Sequence, residues 1–314
     1  MDIRRLRCFL KIVDTGSLTR AAAALNVAQP ALSQQLASLE AHFRQKLLVR
    51  SQQGVTPTEA GRVLYRHAQS LLRQFEQCES DVSRGAASLS GAVSVGVAPY
   101  SAGSTISLAL LKAVREKYPD VVLHVVEGFA VAFSELIMNG RLDMAVMHGA
   151  GPMRGVRFHH LVNEEFFLVV ATDAAPPALS RESCALSDLV ELPLLAPSRV
   201  NFVRKAIDAA FAAIHRTPPI VAEVESLETL RDAVGDGVGA TILPWSVANR
   251  IAIPGRCRLV AIGEPKIEDA ISIGVSDHIP LSEAAVAVRA VLLDLALAAV
   301  NSGRWRSPVR TAAE

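Results

Sequence analysis

The residues from Gln29 to Ser38 offer one kind of chemistry, hydrogen bonding to a flat polar edge. Leu32, Leu36, Leu39 and Phe43 recur at helical spacing and predict a helix that buries one face. Gln29, Pro30, Ala31, Ser33 and Gln34, with Ser38 one turn further, fall on the opposite face near its start. Amide side chains can grip an adenine edge through two hydrogen bonds, hydroxyls suit several bases, and an alanine methyl suits a thymine methyl. The competing reading is an ordinary three-helix bundle with a solvated face, which more often carries Lys and Glu there. Downstream, Arg50, Ser51, Thr56 and Thr58 have the charge and hydroxyls that hold phosphates, fixing position on a duplex without reading its sequence. Ser17, at the start of the preceding helix, joins this DNA-facing set. Arg4, Arg5 and Arg7 either lie along a phosphate strand or form a solvated face.

A second polar set lies in the body of the chain. The segments Pro99 to Thr105 and Pro197 to Asn201 each follow a strand, lead into a helix and are rich in hydroxyls. Helix starts beyond strand ends present unpaired N–H groups that favour anions. Tyr100, Ser101, Ser104, Thr105, Ser198 and Asn201 are therefore candidates to hold a small anionic effector such as a carboxylate. Phe129, His148 and Ser226 lie at corresponding strand ends. The same serines serve equally well as plain helix caps.

Catalytic signals are sparse. The chain has no GxSxG, GxxxxGK[ST] or HExxH, and neither a cofactor nor a metal is expected. Gly235 to Gly239 superficially resembles a dinucleotide loop, but it follows a helix and precedes a strand, the reverse of what pyrophosphate binding requires. The pair His159 and His160 stands in a strand-like run without further ligands and reads as structural. Cys8, Cys78, Cys184 and Cys257 are scattered and read as reduced thiols. The start is too charged for a signal peptide, and Arg289 and Asp294 interrupt the most apolar stretch, Ala284 to Val300. A soluble, cytoplasmic protein without a membrane span is expected.

The elements that must position these residues follow from charge and periodicity. The net charge of +1 over 314 residues hides an asymmetry: residues 1–88 hold twelve Lys and Arg against seven Asp and Glu, and the remainder is net acidic. A basic head on a mildly acidic body results. In the head, residues 2–14 form an amphipathic helix ended by Gly16, and Ser17 caps a second helix with Leu18, Ala21, Ala22 and Leu25 inside. Asn26 to Ala28 is a tight turn, and Pro30 begins the third helix. Leu47 to Arg50 and Val55-Thr56, around the tip Ser51 to Gly54, make a wing.

From Glu59 to Ser83 the chain has no proline, and Leu64, Leu71, Cys78 and Ala68, Phe75, Val82 each repeat every seven residues. That is a heptad seam on a helix roughly 37 Å long. It either packs on its own chain or joins two chains, and groove readers commonly work as two-fold dimers. A hinge follows, to Gly91. Beyond it, strands and helices alternate, which predicts a parallel sheet with helices on its faces. The pattern restarts near Phe166, with crossovers expected near Asn163 and Lys266, and the tail from Arg304 reads as frayed.

The run "VDTGSLTRAAAALNVAQPALSQQLASLE" from Val13, followed by "LLVRSQQGVTPTEAG", resembles the head of LysR-type transcription regulators over some sixty residues. With "GRLDMAV" and "ESLETL" the likeness extends along nearly the whole chain and is greatest to the nitrogen assimilation control group. The resemblance implies an α plus α/β architecture: a winged helix-turn-helix (1–58), a linker helix and hinge (59–90), and a periplasmic-binding-protein-like effector domain (91–303). Lobe I of that domain would comprise 91–163 and 267–303, and lobe II 164–266, before a flexible tail (304–314). It also implies double-stranded promoter DNA with an interrupted dyad as partner, a homodimer through the linker helix, a tetramer built from it, and contact with RNA polymerase. The other readings are a small-molecule binding protein whose head makes protein contacts and, more distantly, an enzyme.

Overall fold

Capping sets the first elements of the computed structural model, which describes residues 2–51, 54–83, 89–149, 153–175 and 182–306. The Asp2 carboxylate accepts the Arg5 N–H at 2.9 Å and starts α1 (Ile3–Thr15), which ends at Gly16 in the left-handed conformation. Ser17 caps α2 (Leu18–Ala24), and α3 (Gln29–Phe43) has Pro30 in its first turn. β1 (Leu48–Ser51) and β2 (Gly54–Pro57) pair antiparallel as the wing. The expected tip residues Gln52 and Gln53 lie outside the described residues. α4 (Glu59–Ser83) follows as one helix. Leu6, Phe9, Ile12, Leu32, Leu36 and Leu39 form the head's core.

Two glycines hold the wing in place. Gly54 has φ +125°, and a Cβ there would stand 2.6 Å from the Gly16 carbonyl oxygen, which also accepts the Val55 N–H at 2.9 Å. A Cβ at Gly61 would stand 2.0 Å from the Leu47 carbonyl oxygen. Close backbone approach requires glycine at both positions.

One expectation for the head needs correction, and another is divided between its two alternatives. Phe43 is exposed, not buried, because α3 ends at Arg44 beyond the last core contact, and its ring meets His42 edge-on at 5.0 Å. The seam of α4 is split: Leu64, Ala68 and Leu72 are buried in the head's own core, whereas Leu71, Phe75, Cys78 and Val82 are exposed. A helix leaving a small core turns a fixed stripe inward for as long as the core lasts, and Leu72 rather than Leu71 lies on that stripe.

The chain divides into two compact units, Met1–Gly91 with Met138–Arg141, and Ala92–Ile137 with Leu142–Glu314. In the second, β3 (Ser90–Val97), α5 (Ala102–Lys117), β4 (Asp120–Glu127), α6 (Ala130–Met138) and β5 (Met144–His148) alternate as expected. β6 (Val156–Ala171) is a single long strand that joins the strand-like run around His159 and His160 to the strand expected from Phe166. β7 (Ser183–Cys184), β8 (Leu194–Ala196), α7 (Phe202–Ala213), β9 (Ile220–Glu223), α8 (Leu227–Gly235), β10 (Thr241–Pro244) and α9 (Trp245–Ile251) follow. β11 (Cys257–Ile262), β12 (Glu268–Ser276) and α10 (Glu283–Asn301) complete the order.

The main sheet runs β4-β3-β5-β12-β6-β11-β7, with β10 also on β6. It is mixed, correcting the expected parallel sheet. β3 lies parallel to β5, but the returning β12 is antiparallel to both β5 and β6, and β10 and β11 are antiparallel to β6. The expected crossover near Asn163 falls inside β6, whose partner changes from β12 to β10 and β11 between Glu165 and Phe166. The return near Lys266 falls between β11 and β12. Each lobe buries its own core, around Ile273 and Val288 in lobe I and around Leu168 and Phe211 in lobe II.

Arg304 to Arg306 are packed rather than frayed, a correction to the expected tail, whose residues 307–314 lie outside the described residues. Trp305 is 1 % exposed, packs in the core of lobe I and donates its Nε1–H to Thr105 Oγ1 at 3.1 Å. Arg306 lies over the rings of Trp245 and Phe167, 4.9 and 5.5 Å from their centroids, and Trp245 Nε1 donates to the Gly303 carbonyl. An aromatic a few residues past a helix end carries no periodicity, so only packing reveals it. Trp305→Ala is expected to destabilise this unit by about 3–5 kcal/mol, the range for truncating a buried large aromatic. Urea unfolding followed by Trp245 fluorescence measures it, and an unchanged midpoint would show the docking to be incidental.

Candidate nucleic-acid interface and effector cleft

The outward face of α3 is as polar as its sequence promised. Gln29, Pro30, Ala31 and Gln34 are exposed, Ser33 and Ser38 are half-buried, and the leucines of the other face are sealed in the core. Gln29 Nε2 donates to Ser33 Oγ at 3.3 Å, one turn along the helix, which holds amide and hydroxyl side by side. Arg5 Nε donates to Gln35 Oε1 at 3.3 Å and pairs with Asp2 at 3.2 Å, and Arg7 pairs with Glu76 at 3.4 Å. Two of the three N-terminal arginines are thus partly committed within the head.

The wing exposes Arg50, Ser51 and Thr56. Thr58 does other work: its hydroxyl donates to the Lys46 carbonyl at 2.7 Å and accepts the Gly61 N–H at 3.0 Å, so it starts α4. The Ser17 oxygen likewise accepts the Arg20 N–H at 3.4 Å. Sequence reasoning passed over Glu40. Its Oε1 accepts the Leu47 N–H at 2.9 Å and its Oε2 meets Lys46 Nζ at 2.8 Å, clasping the wing to the end of α3. Burial works to raise this carboxyl's pKa, but Lys46 and the N–H groups of Leu47 and Leu48 outweigh it and hold the group ionised below its ordinary value. A lone acid at the end of a helix without other acids was the available signal.

In the second unit the candidate effector residues divide by what they touch. Ser101 Oγ donates to the Ala98 carbonyl at 2.7 Å, Ser104 Oγ to Pro99 and Ser101 at 3.0 and 2.9 Å, and Thr105 Oγ1 to Ala102 at 2.7 Å. These hydroxyls brace their own turn. Asn201 caps α7 by accepting the Val203 N–H at 3.0 Å, and Ser226 caps α8 by accepting the Thr229 N–H at 3.2 Å. Phe129 is exposed. The Ser198 N–H, expected to meet an anion, already donates to Glu225 Oε1 at 2.9 Å.

Tyr100 and His148 reach from lobe I to lobe II. The Tyr100 hydroxyl donates to the Val224 carbonyl at 3.0 Å, and burial, with Glu225 nearby, pushes its pKa well up, so it stays protonated. The His148 ring stacks on Phe202, with centroids 3.2 Å apart and planes at 14°. Burial lowers the His148 pKa more than Asp269, 3.4 Å from Nδ1, raises it, so the ring is neutral. Phe202 and Glu225 were missed in the sequence, since neither a helix-start aromatic nor an exposed acid announces a partner.

Glu164 on β6 also joins the lobes. It is fully buried, and its Oε1 accepts the Ser246 N–H at 2.7 Å at the start of α9, while the Ala102 N–H at the start of α5 reaches it too. Burial pushes the carboxyl up to about 7, against the pull of Ser246 and Ala102.

The "Bacterial regulatory helix-turn-helix protein, lysR family" model matches residues 3–62, and the "LysR substrate binding domain" model matches residues 86–296. The chain is 39% identical to the nitrogen assimilation regulatory protein nac of Klebsiella aerogenes, over 94% of this chain and 95% of that one. A full-length OxyR variant from Pseudomonas aeruginosa superposes with TM-score 0.72 at 24% identity, over 94% and 97% of the two chains. Full-length CbnR complexed with its target DNA superposes with TM-score 0.68 at 20% identity, over 94% and 100%.

Glu164 makes the stability of the second unit depend on pH. In the unfolded chain it ionises near 4.5, whereas the fold keeps it protonated to about 7. The stability it contributes is fully present below 4.5 and is lost as pH rises through 7, a fall on the order of 3 kcal/mol. Both tryptophans lie in this unit, so urea unfolding by fluorescence across pH 4.5 to 8 reports on it. Glu164→Gln is expected to flatten the decline, and parallel curves for the two proteins would refute the assignment.

Proposed function

The chain belongs to the LysR family of DNA-binding transcription regulators, and we propose that it binds promoters as a dimer that sets one α3 helix in each of two major grooves. It is a regulator close to the nitrogen assimilation proteins, not an enzyme. The observation that carries the proposed role of α3 is its exposed amide and hydroxyl face, opposite leucines that fix the helix in the head. Gln29, Ala31, Ser33 and Gln34 read base edges, and Pro30 and Ser38 border them. Arg50, Ser51 and Thr56 on the wing hold phosphates, and Ser17 sets the start of α2 against the backbone. The protein works in the cytoplasm, controls nitrogen or related small-molecule metabolism, and reaches RNA polymerase from its place on the promoter.

Dimerisation falls to the outer half of α4. Leu71, Phe75, Cys78 and Val82 are spaced by four, three and four residues, the period of a coiled-coil seam, and all are exposed. The body senses a small anionic effector at the cleft where Tyr100 and His148 cross between lobes, and the assembly is a tetramer in which the body sets the angle between two dimers. Entry of the effector displaces Phe202 from His148 and Glu225 from Ser198. The support for this role is that the groups an anion would use are present but held by the protein's own side chains.

Two measurements check these roles. By fluorescence anisotropy on a selected duplex and a scrambled one, Gln29→Ala or Ser33→Ala should weaken only the selected duplex, by about 1–3 kcal/mol for a lost base contact. Arg50→Ala should weaken both and lower the salt slope by about one. Equal losses on both duplexes for the α3 variants would refute base reading. By sedimentation, Phe75→Glu should convert dimer to monomer without loss of helicity, and a variant that stays dimeric would remove α4 as the seam.

A further inference from the structure

A cavity of about 240 Å³ lies among α5, α9, α10 and the segment after α10, with Ile106, Asn249, Arg250, Ala299, Arg304 and Trp305 on its walls. Of the cleft candidates only Thr105 borders it, and that hydroxyl is occupied by Trp305. We infer that this cavity is a second ligand site, selective for a small organic dicarboxylate.

The charge argument comes first. Arg250 and Arg304 line one small space, and among the described residues neither has a carboxylate within ion-pair distance. Arg304 spends Nε on Ser302 Oγ at 3.2 Å and keeps its terminal nitrogens for another partner. Desolvation lowers the Arg250 pKa and Glu127 works against it; the residue as a whole stays exposed, so only part of its guanidinium has lost water and its outer N–H groups face the opening. A carboxylate pairs with a guanidinium through two parallel N–H···O bonds, and two arginines ask for two carboxylates. Asn249 adds an amide donor and acceptor.

Size and lining choose among anions. At about 30 Å³ for each water, the cavity has room for roughly eight, which corresponds to a chain of four to six carbons carrying two carboxylates. Ile106, Ala299 and the Trp305 ring give that chain apolar walls, which a bare phosphate or sulfate would leave unfilled. Ile106, Ala299 and Trp305 stand on the lobe I side, whereas Asn249 and Arg250 belong to α9 of lobe II. An occupant therefore ties the lobes together at a place other than the His148–Phe202 stack. The site stands whether or not α3 reads bases.

Isothermal titration of the full-length protein tests this with succinate, glutarate and adipate, beside phosphate and sulfate. Saturable one-to-one binding of at least one dicarboxylate is expected, with little from the inorganic ions. Arg250→Ala and Arg304→Ala should each weaken it by about tenfold or more, the scale of a charge-assisted hydrogen bond. Arg250→Lys should retain part of it, and Phe202→Ala should leave it intact. Both arginines are exposed, and an unshifted unliganded melting midpoint will show that the variants are folded. Absence of dicarboxylate binding, indifference to both arginine substitutions, equal binding of phosphate, or loss through Phe202→Ala would each overturn the assignment.

Discussion

The Glu40 carboxylate fixes the wing against the end of α3. A winged helix-turn-helix reads a duplex only if its recognition helix and its phosphate-holding wing keep a fixed separation, because both must meet one rigid double helix. Glu40 enforces this from the last turns of α3 by accepting the Leu47 N–H at the mouth of the wing and pairing with Lys46. Thr58 completes the join from the other side, on the Lys46 carbonyl. The Gly16 carbonyl then ties the far strand of the wing to the α1–α2 turn through the Val55 N–H. The apolar core sets where α3 lies, and these polar contacts set where the wing lies relative to it.

In the body, β6 plays the comparable part. One strand serves both lobes, exchanging β12 for β10 and β11 along its length, so the lobes share a backbone rail rather than a loose connection. Around that rail, among the described residues, the lobes also meet through Tyr100 on Val224, His148 on Phe202, and Glu164 at the starts of α5 and α9. The segment after α10 adds a further contact, with Trp305 in one core and Arg306 over Trp245. Each is polar or aromatic rather than part of a continuous apolar core.

Legibility followed periodicity. Helices α1 to α4 and the wing were readable because caps, Gly16, Pro30 and the leucine spacing all agree locally. The face of α3 was readable because burial of Leu32, Leu36 and Leu39 leaves its neighbours no other direction. Phe43 misled because spacing alone does not say where a core ends. The seam of α4 divides because two adjacent stripes run along it: Leu64 and Ala68 stay with Leu72 on the head's core, while Leu71, Phe75, Cys78 and Val82 turn outward. The run around His159 and His160 was readable as extended, but its continuity with the strand from Phe166 was not, because Asn163, Glu164 and Glu165 interrupt the apolar pattern between them. Trp305, Phe202, Glu225 and Glu164 were invisible as site residues because their partners lie far away in the chain, as the 200-residue separation of Trp305 and Thr105 illustrates.

The bond from the Ser198 N–H to Glu225 bears on how such a domain sets its sensitivity. A tethered acid competes with any free one at a local concentration fixed by chain geometry, not by the cell. Apparent affinity for an incoming anion is then discounted by the fraction of molecules in which the tether has let go. Under the role proposed for this cleft, a substitution at position 225 would shift the affinity for an incoming anion without altering a residue that touches it.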